Sequence, residues 1–322
     1  MHSTVVAYPA SSAERDRWII EHRPQRNELD PAKPYAFFLE SERTSDGGVV
    51  EVATIFLTNR ECPWKCVFCD LWKNTLTYTV PLGAIPAQIE YALSRLPPAG
   101  HIKLYNSGSF FDRSAVPRED YASIARLVRS FERVIVECHP ALIQAEVLKF
   151  RKLVAGTLEV AMGLETVHPG ALDRLNKRVT VEQFARAANL LRSYDIPLRV
   201  FILVHPPFVP SAEAEAWVRR SIDFAFECGA AVCSLIPTRS GNGALEALAA
   251  QGEFSLPPLS ALEDAIAYGV NLRRGRVFAD LWDLKKFSRC STCFAARVER
   301  LDLINKSQSI PAAIVCPQCG PR

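Results

Sequence analysis

The sequence predicts an α/β fold: a partial, six-stranded (βα)6 barrel of TIM type, with an N-terminal arm and a small C-terminal module resembling a four-cysteine zinc ribbon. Three observations predict it. Short apolar β-type runs alternate with amphipathic helical stretches through the middle of the chain, the pattern of a parallel sheet wrapped by helices. The residues just after each run are polar and varied, as at the C-terminal rim of a barrel, where active sites are built. Two Cys-x2-Cys pairs, Cys290/Cys293 and Cys316/Cys319, stand twenty-two residues apart near the end, and such knuckles offer four soft ligands to one tetrahedral ion.

Composition is that of an ordinary globular protein able to bury a sizeable core: 322 residues, 48% hydrophobic and 23% charged,. The start lacks a basic segment before an apolar run, so no secretory signal is expected. The most apolar stretch, Ile196 to Val209, is broken by prolines, Arg199 and His205 and falls short of a membrane span,. A cytoplasmic protein that contacts no membrane is the expectation. Seven of the ten cysteines fall in metal-type spacings, and reduced thiols are the rule in that compartment, so no disulfides are expected. From Asn271 onward ten Lys and Arg face four acids, and this basic end suggests an anionic partner, or else a solvated face.

Residues 1–48 read as an arm and a hairpin. Ala13 to Glu21 has helical character and stops before Pro24, and the β-rich runs Tyr35 to Glu40 and Val49 to Thr58 flank the turn signal Ser45-Asp-Gly-Gly48,. The core is placed at 49–270. Strands are expected at Val52–Thr58, Ile102–Tyr105, Arg133–Glu137, Thr157–Met162, Leu198–Val204 and Ala231–Ile236, with helical periodicity at Ile85–Leu96 and Pro117–Phe131,. Residues 271–322 form the basic module with the cysteine knuckles.

The stretch Asn59-Arg-Glu-Cys-Pro-Trp-Lys-Cys-Val-Phe-Cys-Asp70 holds Cys62, Cys66 and Cys69 at C-x3-C-x2-C spacing on the loop after the first core strand. Three thiolates can hold three irons of a 4Fe-4S cube and leave one iron free for another ligand. A zinc site and three buried core cysteines are the competing readings. The rim adds Asn106-Ser-Gly-Ser-Phe-Phe-Asp112, Cys138 with His139, Gly163-Leu-Glu-Thr-Val-His168, His205-Pro-Pro-Phe208 and Thr238-Arg-Ser-Gly-Asn-Gly243. Three of the six histidines fall at these strand ends, which predicts that they line a pocket.

The cysteine spacing, with the aromatic Phe68 before the last cysteine, resembles the radical-SAM superfamily. The combination of Asn-Ser-Gly-Ser-Phe-Phe-Asp, Glu137-Cys-His-Pro140, Gly163-Leu-Glu-Thr166 and Pro206-Pro-Phe208 is similar to the branch that contains the Elongator catalytic subunit and methylthiotransferases, and within it to the radical-SAM subunit of archaeosine synthase, over about Leu57 to Leu248. The resemblance implies a six-stranded core, a 4Fe-4S cluster on Cys62, Cys66 and Cys69, and S-adenosylmethionine (SAM) chelated at the free iron. It implies SAM contacts from Phe68, from Asn106, Ser107, Gly108 and Ser109 in place of the usual Gly-Gly-Glu, from Glu137 and Glu165, and from Arg178 to the SAM carboxylate. Cys138, His139 and His205 are the candidates for work on the substrate, Cys138 as a hydrogen-atom donor. The implied activity is reductive SAM cleavage and hydrogen abstraction from a substrate, a 7-deazaguanine-type tRNA base in the nearest branch, with a flavodoxin- or ferredoxin-type electron donor. The alternatives are a free small-molecule substrate, or a non-catalytic nucleic-acid-binding protein that keeps its metals. At Cys290, Cys293, Cys316 and Cys319 the expectation is Zn2+, with a second iron-sulfur cluster as the rival.

Overall fold

The computed structural model describes residues 7–321; the first six residues of the expected arm and Arg322 lie outside the described residues. Eight strands run in sequential order through one sheet: β1 (Ala36–Arg43), β2 (Val49–Phe56), β3 (His101–Tyr105), β4 (Arg133–Glu137), β5 (Thr157–Glu165), β6 (Leu198–Val204), β7 (Ala230–Pro237) and β8 (Arg276–Ala279). β1 pairs antiparallel with β2, and every later neighbour is parallel. Parallel neighbours need a crossover, and helices supply it. They are α2 (Ala84–Leu93), α3 (Tyr121–Leu127), α4 (Ala145–Leu153), the pair α5 (Pro169–Arg174) and α6 (Val181–Ser193), α7 (Ala214–Glu227), and the pair α8 (Ala244–Ala250) and α9 (Leu259–Asn271), after α1 (Ser12–Glu21) in the arm and before α10 (Phe294–Ser307).

The sheet is curled into a half-barrel, because side chains of strands far apart in the order meet. The rings of Tyr105 on β3 and Phe201 on β6 lie 6.1 Å apart, and Glu42 on β1 accepts from Arg199 on β6 at 3.1 Å. The outward residues of the strands, among them Ile55, Leu104, Val136, Val160, Val200 and Leu235, are fully buried against the helices. That accounts for the near-continuous apolar runs that made the strands legible.

Six of the seven parallel strands fall where the sequence places them. The seventh, β8, extends the sheet from within the C-terminal stretch; at four residues it was too short to stand out among charges. Nor do strands of a ribbon fill the gap between the two cysteine pairs. The spacing of Arg297, Leu301 and Ile304, buried on one face, belongs to α10, which packs on both edge strands β1 and β8. The second knuckle is a minimal hairpin of two-residue strands, Val315–Cys316 and Gly320–Pro321. The arm is pinned above the rim: Trp18 and Ile19 of α1 share a core cluster with Val67, Leu175 and Leu245. No helix among the described residues is long and apolar enough to cross a membrane.

Candidate functional site

The cysteine loop leaves β2 at the rim and is held by groups distant in sequence. Val67 donates its N–H to the Leu175 carbonyl at 3.0 Å. The buried amide of Asn242 donates to the carbonyls of Val67 (2.8 Å) and Cys69 (3.2 Å), and that of Asn176 donates to Lys65 at 2.8 Å. Trp64 stacks on the His139 ring at 3.6 Å with 10° between planes. Gly108 closes against the loop from β3; a Cβ there would lie 3.2 Å from the Cys62 Cβ.

Burial pushes the Cys62 thiol up to about 11, Cys69 up to about 12 and Cys66 well above its ordinary value, opposed at Cys62 and Cys66 by Lys177. Lys65 at Cys62 and Arg23 at Cys69 add to that pull without overcoming burial, so the three thiols would be thiolates only against further positive charge, which iron provides. Their geometry also separates the readings. A zinc–sulfur bond of about 2.3 Å puts tetrahedral sulfurs about 3.8 Å apart. Among the described residues Cys62, Cys66 and Cys69 do not form a group with all sulfurs within 4.8 Å of one another, whereas the C-terminal four do. Ligands on separate irons fit the first set, and a single ion fits the second.

Beside the loop, Glu137 at the end of β4 accepts from the backbone N–H of Asn106 at 2.5 Å and of Gly108 at 3.3 Å. Burial raises its carboxyl to about 6 against the pull of those donors. Glu137 therefore shapes the Asn106–Ser109 turn, in which Ser107 takes a positive φ of 53° and lies 2.8 Å from the Tyr35 hydroxyl. Ser109 accepts from the His139 N–H at 2.9 Å. Both polar atoms of the fully buried Asn106 amide lack a partner, as expected of a residue awaiting a polar ligand.

Glu165 is joined to Lys177, not to Arg178. The Lys177 ammonium donates to Glu165 at 2.6 Å, both side chains withdrawn from water. Burial would lower the Lys177 pKa, but Glu165 together with Cys66 and Cys62 outweighs it and the net shift is upward. Gly163 makes the room: a Cβ there would lie 2.0 Å from Glu165 Oε1 and 2.3 Å from Lys177 Nζ. Asn176 and Arg178 take φ of 58° and 59°, so the chain turns Lys177 inward. The Arg178 guanidinium, expected beside the SAM carboxylate, turns outward and pairs with Asp16 of α1. Sequence reading passed over Lys177, Asn176, Asn242 and Trp64; only their neighbourhood in rim loops could have pointed to them.

Cys138 is buried in the apolar core, its Sγ 3.3 Å from the His139 carbonyl. Burial, then Lys177, pushes His139 down to about 3, and the neutral ring donates from Nε2 to the Lys177 carbonyl at 3.0 Å while Nδ1 accepts from Ala141 at 3.2 Å. With both nitrogens engaged it is a prop under Trp64. His168 likewise caps α5, accepting from Ala171 at 3.0 Å. Two of the three rim histidines thus cap the helix that follows, because the residue after a strand is also the residue before the next helix. His205, strained at a φ of 57°, lies 3.3 Å from Ser211 Oγ. Phe68 packs against the arm's cluster with Val67.

At the C-terminal site Cys290 lies 3.8 Å from Cys316 and Cys293 lies 3.6 Å from Cys319, sulfur to sulfur. The backbone N–H of Cys293 leads in lowering Cys290 to about 6, and that of Gln318 leads in lowering Cys316. Burial raises Cys293, and the Cys316 thiol leads in pushing Cys319 up to about 12, so it is the spacing of the four sulfurs that suits one tetrahedral ion,.

Residues 56–215 match the family model described as the Radical SAM superfamily. The chain is 26% identical over 230 residues to an uncharacterized protein of Methanocaldococcus jannaschii, covering 67% of this chain and 62% of that one. It is 25% identical over 224 residues to archaeosine synthase subunit beta of Methanosarcina acetivorans, covering 66% and 65%. It thus spans less than two thirds of the length of these relatives. Among solved structures, archaeal Methanocaldococcus infernus Elp3 superposes with a TM-score of 0.46 at 15% identity, over 61% of this chain and 50% of the other. The matched family span opens at the last residue of β2 and runs through the cysteine loop, Glu165 and Lys177 into α7, so the chain carries a radical SAM domain.

Proposed function

We propose that this chain is an enzyme that cleaves SAM reductively at a 4Fe-4S cluster on Cys62, Cys66 and Cys69 and abstracts hydrogen from a modified tRNA base of the 7-deazaguanine type. The observation that carries the reading is the three-thiol loop, held at the rim of the half-barrel beside the unpartnered Asn106 amide. When bound, the cluster and SAM supply a 5'-deoxyadenosyl radical. The chain's own residues orient and exclude water: Trp64 on His139 and the Asn176 and Asn242 amides fix the loop, Glu137 holds the turn that presents Asn106, and Lys177 offers a buried ammonium to an anionic group such as a carboxylate. Phe68, Ser107, Gly108, Ser109 and Glu165 complete the proposed SAM contacts, and Cys138 and His205 remain the candidates for work on the substrate.

Similarity to archaeosine synthase subunit beta supports the base as substrate. The basic C-terminal segment gives weaker support than its charge suggests: Arg276 faces Glu42, Arg297 pairs with Glu263, and Lys286 pairs with Asp283. Arg273, Arg274 and Arg289 are exposed and available to phosphates,. One zinc at the C-terminal cysteines and a small one-electron donor protein complete the proposal. The test is anaerobic reconstitution with SAM, dithionite and tRNA. Wild type should form 5'-deoxyadenosine above a Cys66→Ala control and tRNA should raise the yield; no product above the control overturns the enzyme, and indifference to tRNA overturns the substrate.

A further inference from the structure

Strand alternation brings two rows to the inner face of the half-barrel, Phe56 with Tyr105 on β2 and β3, and Phe201 with Ser234 and Phe278 on β6 to β8,, and the rows meet where Tyr105 touches Phe201. Three of the rings interlock edge to face: Phe56 and Tyr105 at 5.9 Å and 66°, Tyr105 and Phe201 at 6.1 Å and 83°. Below them the lumen is closed by charge. Glu42 binds Lys103 at 2.6 Å and Arg199, which also binds Glu159 at 2.8 Å. Above them stand the cysteine loop and the Glu165–Lys177 pair.

Phe56, Tyr105 and Phe201 are nonetheless only half-buried, while their outward neighbours Ile55, Leu104, Val200 and Ile202 are fully buried. An inward side chain on an interior strand such as β6 can be exposed only to the lumen, so open space lies on the upper side of the rings. Ser234 is the small inward residue beside the rings and is itself partly exposed, whereas the room left at Gly163 is taken by Glu165 and Lys177. The hydroxyls of Tyr105 and Ser234 have no hydrogen-bond partner among the described residues.

At the wall of this space, Arg239 just after β7 is ion-paired with Asp280, the next inward residue after Phe278. The Asp280 N–H donates to the Leu235 carbonyl at 2.9 Å, which anchors the pair to β7, and Oδ1 accepts from the Trp282 N–H at 3.0 Å. The Arg239 Nε–H is buried and unpartnered. A carboxylate beside a guanidinium with a free N–H presents acceptors and a donor together, complementary to the adjacent N–H donors and carbonyl of a purinone-type ring. An aliphatic ligand would use neither the rings nor that edge.

We infer that the upper lumen binds a planar heteroaromatic ring, stacked on the floor of Phe56, Tyr105 and Phe201 and read along its amide edge by Asp280 and Arg239. This deepens the reading of the preceding section and rests on it for the reaction performed on the bound ring. The experiment measures anaerobic binding of 7-deazaguanine and 7-deazaadenine to the cluster-loaded protein by calorimetry. Wild type should prefer 7-deazaguanine by at least about tenfold, and Asp280→Asn should erase the preference. Phe201→Leu, which removes a ring at similar volume, should weaken both ligands by about tenfold, and Ser234→Leu, which fills the space from another strand, should weaken both as well; retained cluster absorption shows that each variant folds. Equal affinity of wild type for the two rings, no binding of either, or wild-type affinity in both Phe201→Leu and Ser234→Leu overturns the inference. These outcomes do not touch 5'-deoxyadenosine formation in the same preparation, whose absence would overturn the enzyme reading while leaving ring discrimination standing.

Discussion

Lys177 and Glu165 carry opposite charges on side chains 10% and 6% exposed, joined at 2.6 Å. Desolvating two ions costs several kcal/mol each, and attraction at close range offsets this only while both partners remain. Lys177→Met would leave a buried carboxylate uncompensated, and we expect a loss of about 3–5 kcal/mol in urea unfolding. The double variant Lys177→Met/Glu165→Leu should recover most of that loss, because neither charge remains to be desolvated. A double variant as unstable as the sum of the singles would show that the two side chains do not act as a pair. Neither outcome depends on the cluster, so the measurement isolates the geometry that Gly163 makes possible.

Strand β1 joins the sheet antiparallel, yet its Glu42 reaches across the lumen to Arg199 on β6 and Lys103 on β3. Burial opposes ionisation of Glu42, but the guanidinium and ammonium outweigh it and hold the carboxyl far below the usual carboxylate range. A depressed folded pKa contributes stability that is full above the unfolded value, about 4.3, and is lost as pH falls below it. Glu42→Gln should therefore be less stable than wild type by about 3 kcal/mol at pH 7. The difference should shrink as pH is lowered through the acid range, followed by urea titrations from pH 7 to 3. A difference that stays constant with pH would mean that shape, not charge, ties β1 to the lumen. α10 is the outer counterpart of this closure, since it lies against both β1 and β8 and Arg43 of β1 donates to the Lys306 carbonyl at 3.0 Å.

The two cysteine knuckles flank α10, so the ion they hold would lock the helix that spans both sheet edges. Cluster and knuckles should be metallated independently: about four irons at the rim and about one zinc at the C-terminal site. Cys316→Ala should remove the zinc, spare the iron and its absorption, and lower the melting temperature through the loosened edges. Loss of about half the iron in that variant would identify a second cluster instead. Cys66→Ala should show the reverse, losing iron and keeping zinc.

Most of the barrel is legible in the sequence alone, because a buried parallel strand and an amphipathic helix are written in consecutive residues. Arg133–Glu137 and Leu198–Val204 were placed to the residue. The metal motifs were equally local, with their ligands a few positions apart. What adjacency could not decide was direction. Lys177 and Arg178 are neighbours in a rim loop, and only the left-handed backbone on either side sends the first inward to Glu165 and the second outward to Asp16. His139 and His168 look like site residues by position, and only the next helix start shows that their nitrogens are already engaged. The lumen was invisible for a further reason: Glu42, Lys103, Glu159 and Arg199 come from four strands, and a charge in a strand reads as an exposed face until the sheet curls and brings its counter-charge within about 3 Å. Patterns carried by neighbouring residues are set by the chain itself, whereas pairings between distant residues exist only once closure has removed the water between them.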